Sequence, residues 1–425
     1  MIIFFTKLIT KIMNLLGYGA TTLPGRIALF FKPDILAKLS KGVKVIVITG
    51  TNGKTTSARI VEEGLKEAGK SYFINRSGAN LITGITASFI MNCTNSGKCT
   101  KEYAVIECDE NAFRTVSKYL KAKVVLVTNV FRDQLDRYGE VSHTLSAIRE
   151  SVDNLPEATL VINADCSLTN TLKRENTVTY GVSVPLNFTS DVRDGTRCIH
   201  CKHELKYDYF TYAHLGKYRC PGCGYERGTP DYNVTDIIET TPDSTTVMIN
   251  GTTLAKINLG GVYNVYNGVG AYAGLVALGI DSDTALHALE KFNGAFGRME
   301  KFGNVRMILV KNPAGLTQTC RYINSFKGDK TIIFCLNDNA ADGRDISWIW
   351  DADIDVSGKI YAAGKRSGDM ALRLKYNGID AEITDNVLET VLKLSGDVFV
   401  VPTYTAMMKM RPEFAHHFGK EEFWQ

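Results

Sequence analysis

The sequence has little net charge, no long run of one sign, no internal repeat and no low-complexity tract. A formal charge of +4 spread along 425 residues provides none of the concentrated field that holds a nucleic-acid backbone, so nucleic acid is not an expected partner. No apolar run is long enough to cross a bilayer. The apolar start, Met1 to Phe5, has neither the basic flank nor the cleavage pattern of a secretory leader, and the expected location is cytoplasmic. Hydrophobic residues at 44% against charged residues at 22% exclude wholesale disorder and describe a soluble globular chain. Its length exceeds what one core ordinarily fills, so more than one domain is expected.

Three regions follow from the patterning. Residues 1–40 read as an N-terminal helical segment, in which Lys7 and Lys11 lie four apart amid Phe4, Phe5, Leu8, Ile9, Ile12, Leu15 and Leu16. Packing onto the next domain is its expected role, with peripheral contact at the inner face of a membrane as the alternative. From 41 to 300, apolar β-branched runs alternate with helical patterns, the mark of a parallel sheet covered by helices. Strands are expected at Val43–Thr49, Tyr103–Cys108, Val124–Asn129 and Leu160–Asn163, and helices at Asn264–Gly279 and Asp283–Lys291. An insertion at about 190–230, rich in Cys, His, Tyr and Gly, interrupts this alternation. Residues 301–425 restart it, with strands expected at Val305–Val310, Lys330–Leu336, Lys359–Ala363 and Val398–Pro402.

The run Val45 to Thr56 joins a buried strand, the turn Gly50-Thr51-Asn52-Gly53, and a helix start at Lys54-Thr55-Thr56. That order aims backbone N–H groups and a helix N-terminus at an anion, with Lys54 for the β- and γ-phosphates of ATP and Thr55 for Mg2+. The spacing is a variant of the usual phosphate loop, because Ile48 stands five residues before Gly53. In the insertion, Cys198-x-x-Cys201 and Cys220-x-x-Cys223 have the spacing of a zinc ribbon, whose four thiolates form a closed, structural Zn2+ site. The other cysteines, such as Cys93 and Cys335, sit in no recognisable nucleophile motif.

The loop Gly-Thr-Asn-Gly-Lys-Thr-Thr resembles that of the Mur ligase and folylpolyglutamate synthase superfamily, and further segments in chain order are similar to its motifs. Glu107, at a strand end, corresponds to the family's magnesium-binding carboxylate, while Glu110 reads better as an ordinary helix N-terminal charge. Thr128 to Gly139 resembles the Thr-Asn and Asp-His-x-Asp segment, with Gln134 in the histidine position, which puts a second magnesium in doubt. Asn264-x-x-Asn267 resembles the adenine-side segment. Gly297-Arg298-Met299-Glu300 resembles Gly-Arg-x-Glu, in which Arg298 would stabilise a transferring phosphoryl group.

Only about 40 residues precede the loop, too few for the uridine-nucleotide domain of general Mur ligases. The short N-terminus, inserted ribbon and divergent C-terminal segments Lys311–Gln318 and Asp338–Asp351 resemble the ligase subunits of lipid II isoglutaminyl synthases. The resemblance implies an α/β fold: a Mur-ligase-type central P-loop ATPase domain with an inserted four-cysteine zinc ribbon, plus a C-terminal Rossmann-like α/β domain. It implies ATP-dependent amidation of the α-carboxylate of D-glutamate in the lipid II stem peptide through an acyl phosphate. Ammonia would come from a GatD-type glutaminase partner, to whose Cys-His pair this chain would lend an aspartate; Asp345 is the choice, with Asp342 and Asp351 behind it. A stand-alone amino-acid-adding ligase and an idle nucleotide-binding scaffold are the competing readings.

Overall fold

The computed structural model describes residues 2–15, 22–75, 79–131, 139–186, 196–292, 294 and 298–420. Its larger sheet has nine strands. From one edge these are Thr253–Ile257, Thr245–Ile249, Tyr232–Thr240, Thr177–Val182, Thr159–Asn163, Val124–Val127, Lys44–Thr49, Tyr103–Glu107 and Tyr72–Ile74. The first three pair antiparallel and all other neighbours pair parallel. Val45 to Ile48, Ala104 to Ile106 and Val124 to Val127 are fully buried, as uninterrupted apolar strands must be when helices cover both faces. Sequence patterning missed Tyr72–Ile74 and Thr177–Val182, a short edge strand and a strand in which Thr and Gly dilute the apolar signal.

Chain order places the site. Strand Lys44–Thr49 lies between Tyr103–Glu107 and Val124–Val127, so the chain departs to one side of it and later returns to the other. Its C-terminal end is a switch point, where open parallel sheets bind ligands. Helix Lys54–Glu67 starts there, and helix Val262–Leu278 packs alongside it.

The second sheet has six strands, in the order Arg298–Phe302, Val305–Ile308, Asp397–Pro402, Lys330–Cys335, Lys359–Ala363 and Glu382–Ile383. Successive residues of its central strands enter opposite cores: Ile332, Phe334, Phe399 and Val401 on one side, Ile333, Cys335, Val398 and Val400 on the other. This is the two-residue period of a strand buried on both faces. The insertion forms a separate hairpin, Lys206–Tyr212 with Leu215–Arg219.

The N-terminal helix Ile2–Leu15 presents an unexpected face. Among its described side chains, Thr6 and Thr10 are buried beside Ile3, each hydroxyl bonded to a carbonyl of the preceding turn, while Phe4, Phe5 and Leu8 are exposed. The expected packing onto the next domain is made by Ile3, which joins the main core, and by Lys7, whose Nζ donates to the Cys93 carbonyl. No described helix is long and apolar enough to cross a membrane.

Candidate active site

The turn after strand Lys44–Thr49 requires its glycines. Gly50 and Gly53 have φ of +113° and +85°, which L side chains avoid. A Cβ on Gly53 would also lie 2.0 Å from Asn267 Oδ1. Gly69 has φ +62° with nothing within 4 Å, so it isolates the backbone effect. Gly69→Ala should cost about 1–2 kcal/mol, whereas Gly53→Ala should melt distinctly lower and lose nucleotide affinity; thermal melts with ADP titration check this, and equal behaviour of the two variants would contradict it.

Asn129 fixes the loop from the neighbouring strand. Its Oδ1 accepts from Asn52 N at 2.9 Å, its Nδ2 donates to Asn52 O at 3.1 Å, and its carbonyl accepts from Thr51 N at 2.9 Å. The Thr51 hydroxyl accepts from Phe131 N at 3.0 Å and donates to Phe131 O at 3.1 Å. These bonds brace the loop from outside it, which is what a preorganised anion cradle needs.

Two charged positions face this cradle. Thr55 Oγ1 donates to Glu107 Oε1 at 3.1 Å, placing a hydroxyl and a carboxylate together as a hard cation requires. Asn75 holds Glu107 at both backbone groups, accepting from its N and donating to its O at 2.8 Å each. Lys54 Nζ donates to Gly50 O at 2.6 Å and pairs with Glu110 Oε1 at 2.7 Å, both side chains about nine-tenths buried. Glu110 is therefore more than a helix N-terminal charge: Asp109 caps that helix, and Glu110 turns inward to the lysine. Sequence order conceals this, because the pair is 56 residues apart.

Across the loop, Asn267 Nδ2 donates to Asn264 Oδ1 at 3.1 Å, and Asn264 Nδ2 to Gly260 O at 2.7 Å. These asparagines line a cavity with Asn52, Gly53, Tyr212 and Gln318. Helix Pro313–Asn324 of the second sheet closes it, and its N-cap Asn312 donates to Asn52 Oδ1 at 3.0 Å. Arg298 opens strand Arg298–Phe302, but its side chain is outside the described residues, as are Gly297 and Gln134. Its neighbour Glu300 ties the segment to the second core through Arg411 at 2.8 Å.

The four cysteine sulfurs lie within 4.8 Å of one another, with Cys198 to Cys223 at 3.6 Å and Cys201 to Cys220 at 3.3 Å. Four thiolates about 2.3 Å from a tetrahedral zinc are about 3.8 Å apart, so the set fits the ion. Each knuckle closes on a residue with positive φ, Lys202 and Gly224, and each cysteine pair has its first carbonyl bonded back by the turn.

Around Asp338 to Asp351, the candidates separate by environment. Asp342 is buried and both oxygens are engaged, by Thr405 N at 2.7 Å, the Thr405 hydroxyl and Asn339 N at 3.1 Å. Asp345 is half-buried and, among the described residues, accepts only from Ser347 N, at 2.6 Å. Asp351 is exposed.

Fold and loop together are those of a Mur-type ligase. The family model for the Mur ligase middle domain matches residues 48–275, and that for the MurT ligase C-terminal domain matches 309–407. The chain is 37% identical over 94% of its length, and 93% of the relative's, to the MurT subunit of lipid II isoglutaminyl synthase (glutamine-hydrolyzing) from Streptococcus pneumoniae. It is 34% identical to the Staphylococcus aureus MurT subunit, over 98% of each chain. Among solved structures it resembles a pseudomurein peptide ligase type C from Methanothermus fervidus, with TM-score 0.67 and 22% identity over 91% of this chain and 80% of that one. Mycobacterium tuberculosis folylpolyglutamate synthase, complexed with ADP and AMPPCP, aligns with TM-score 0.61 and 14% identity over 93% of this chain and 98% of that one. This chain belongs to the MurT family of the Mur ligases.

Proposed function

We infer that the chain is the ligase subunit of a glutamine-hydrolysing lipid II isoglutaminyl synthase, amidating the α-carboxylate of D-glutamate to D-isoglutamine. The observation that carries this reading is a prebuilt phosphate loop, with Thr55 against Glu107, in a chain that matches MurT subunits almost end to end. The N–H groups of Gly50 to Thr56 and Lys54 hold the ATP phosphates, Thr55 and Glu107 hold magnesium, and Asn264 and Asn267 border the adenine side. Arg298 offsets charge on the moving phosphoryl group. A bound magnesium ion adds charge neutralisation at the phosphates. The γ-phosphoryl group passes to the substrate carboxylate, ammonia attacks the acyl carbon, and phosphate leaves with the bonding electrons. Hydroxylamine in place of ammonia should give an ATP-dependent hydroxamate on lipid II; ATP hydrolysis without hydroxamate would contradict the acyl phosphate.

Ammonia is supplied by a glutaminase partner of the GatD type. Burial pushes the thiol of Cys93 up to about 12, with Cys99 adding to the effect, and raises those of Cys320 and Cys335 further. At Cys166 burial is outweighed by the His214 imidazole, which brings the thiol down to about 7, but the residue is fully buried. None of these four suits a glutaminase nucleophile. Asp345, with one oxygen uncommitted, suits a partner's histidine better than Asp342. The four ribbon thiolates hold one Zn2+.

The N-terminal helices place the enzyme against an anionic bilayer from the cytoplasmic side. Phe4 and Phe5 are 50% and 52% exposed, and Phe30 and Phe31 of helix Leu23–Phe31 are 81% and 67% exposed. Residues 1–43 contain six Lys or Arg and one acidic residue, a net +5, so the remainder of a +4 chain is net −1. Apolar rings beside this local positive charge are what an interfacial anchor needs. In flotation with phosphatidylglycerol vesicles, the wild-type chain should rise with the lipid, and a Phe4→Glu, Phe30→Glu variant should stay behind. Equal flotation of both, or binding to neutral vesicles alone, would contradict this placement.

A further inference from the structure

The cysteine insertion reaches back into the ligase body at two points, and both lead to the nucleotide cavity. The first is the tip of its hairpin. Ala213 takes φ +47° there, turning His214 inward until it is fully buried, with its ring 4.5 Å from that of Phe131 and Nε2 3.6 Å from Cys166 Sγ. Phe131 is the residue whose backbone N and O both bond the Thr51 hydroxyl of the phosphate loop. Tyr212, beside the tip, lines the cavity with Asn52, Gly53, Asn264 and Asn267, and the Thr211 hydroxyl bonds that of Tyr266.

The second point follows the other knuckle. Arg227 lies four residues beyond Cys223, and its Nε meets Asp165 Oδ1 at 2.5 Å inside the protein. The other Asp165 oxygen accepts from Val182 N at 2.8 Å and from the Tyr266 hydroxyl. Tyr266 stands between Asn264 and Asn267 on helix Val262–Leu278. Both arms of the insertion therefore converge on one tyrosine of the nucleotide-binding helix, and one arm also braces the phosphate loop.

We propose that the four-cysteine ribbon is a positioning element for the nucleotide site, supplying Tyr212 to the cavity and holding Tyr266 and Phe131 in place, so that metal occupancy and nucleotide binding are linked. A ribbon serving only to staple its own hairpin would not need a buried histidine at the tip or a buried arginine at the exit. The inference rests on the zinc and nucleotide readings given above. Linkage of this kind is reciprocal: what the metal contributes to nucleotide affinity, the nucleotide must return as metal retention.

The test uses the whole chain with its glutaminase partner, measuring zinc affinity by equilibrium competition with a chromogenic chelator, with and without saturating ADP, and ADP affinity by calorimetry. ADP should tighten zinc binding by about 5- to 150-fold, the usual range of coupling between sites. Tyr212→Ala should retain one zinc per chain but weaken ADP binding and reduce the tightening. Asp208→Ala, which removes a half-exposed ion pair with Lys217 at 3.0 Å on the same hairpin, should leave both unchanged. Tight zinc and ADP binding with a zinc affinity independent of ADP would overturn the coupling and leave the two underlying readings intact. A wild-type complex that binds no zinc, or no ADP, would overturn those readings and the coupling with them.

Discussion

Asp345→Asn should lower glutamine-dependent amidation by about 10⁴-fold, the scale on which loss of the aspartate disables a nucleophile-histidine-aspartate system. Amidation supplied directly with ammonium should be nearly unchanged, since Asp345 lies outside the phosphate loop. The asparagine preserves shape and can still accept from Ser347 N, the bond seen at 2.6 Å, but it cannot stabilise a cationic imidazole. Asp342→Asn should behave differently. Its carboxylate organises Thr405 and Asn339 within the chain, so the change should lower the melting temperature and affect both nitrogen sources. Measuring both activities for both variants assigns the role; an Asp345→Asn complex that hydrolyses glutamine at the wild-type rate removes Asp345 from it.

Lys54→Ala should reduce ATP-dependent amidation by about 10²–10³-fold, the usual effect of removing one preorganised charge stabiliser at a reacting group. It should also destabilise the fold, because Glu110 is buried and Lys54 is its partner at 2.7 Å. Stranding a buried charge costs about 3–5 kcal/mol. Glu110→Gln in the same chain should relieve most of that loss without restoring turnover. Thermal melts and amidation rates on the single and double variants therefore separate folding from chemistry. Recovery of activity in the double variant would mean that Lys54 acts only by neutralising Glu110.

The phosphate loop was legible because strand, glycine turn, lysine and helix start are contiguous, and a local pattern fixes a local geometry. The clustering of the four cysteines was legible for a related reason: two short Cys-x-x-Cys spacings in one insertion leave few alternatives. What escaped the sequence depends on contacts made by folding. Glu110 read as a helix-start charge, since its lysine is 56 residues away. Asn312 lay in a recognised segment, but its bond to Asn52 spans 260 residues. Tyr212 was one aromatic among many in the insertion, and only the inward turn at Ala213 brings it to the cavity. The N-terminal helix packs as its composition implied, with Ile3 in the main core, but which residues face in was not legible: Phe4, Phe5 and Leu8 are exposed while Thr6 and Thr10, satisfied by their own helix carbonyls, are buried.

The source of the nitrogen separates amidation from amino-acid ligation. The most direct measurement is amide formation on lipid II with ATP, comparing the chain alone with the chain plus its glutaminase partner, each supplied with glutamine or with ammonium. Glutamine should support amidation only when the partner is present, and sufficient ammonium should support it without the partner. Amidation with glutamine by the chain alone, or no amidation under any of the four conditions, would contradict this source of nitrogen.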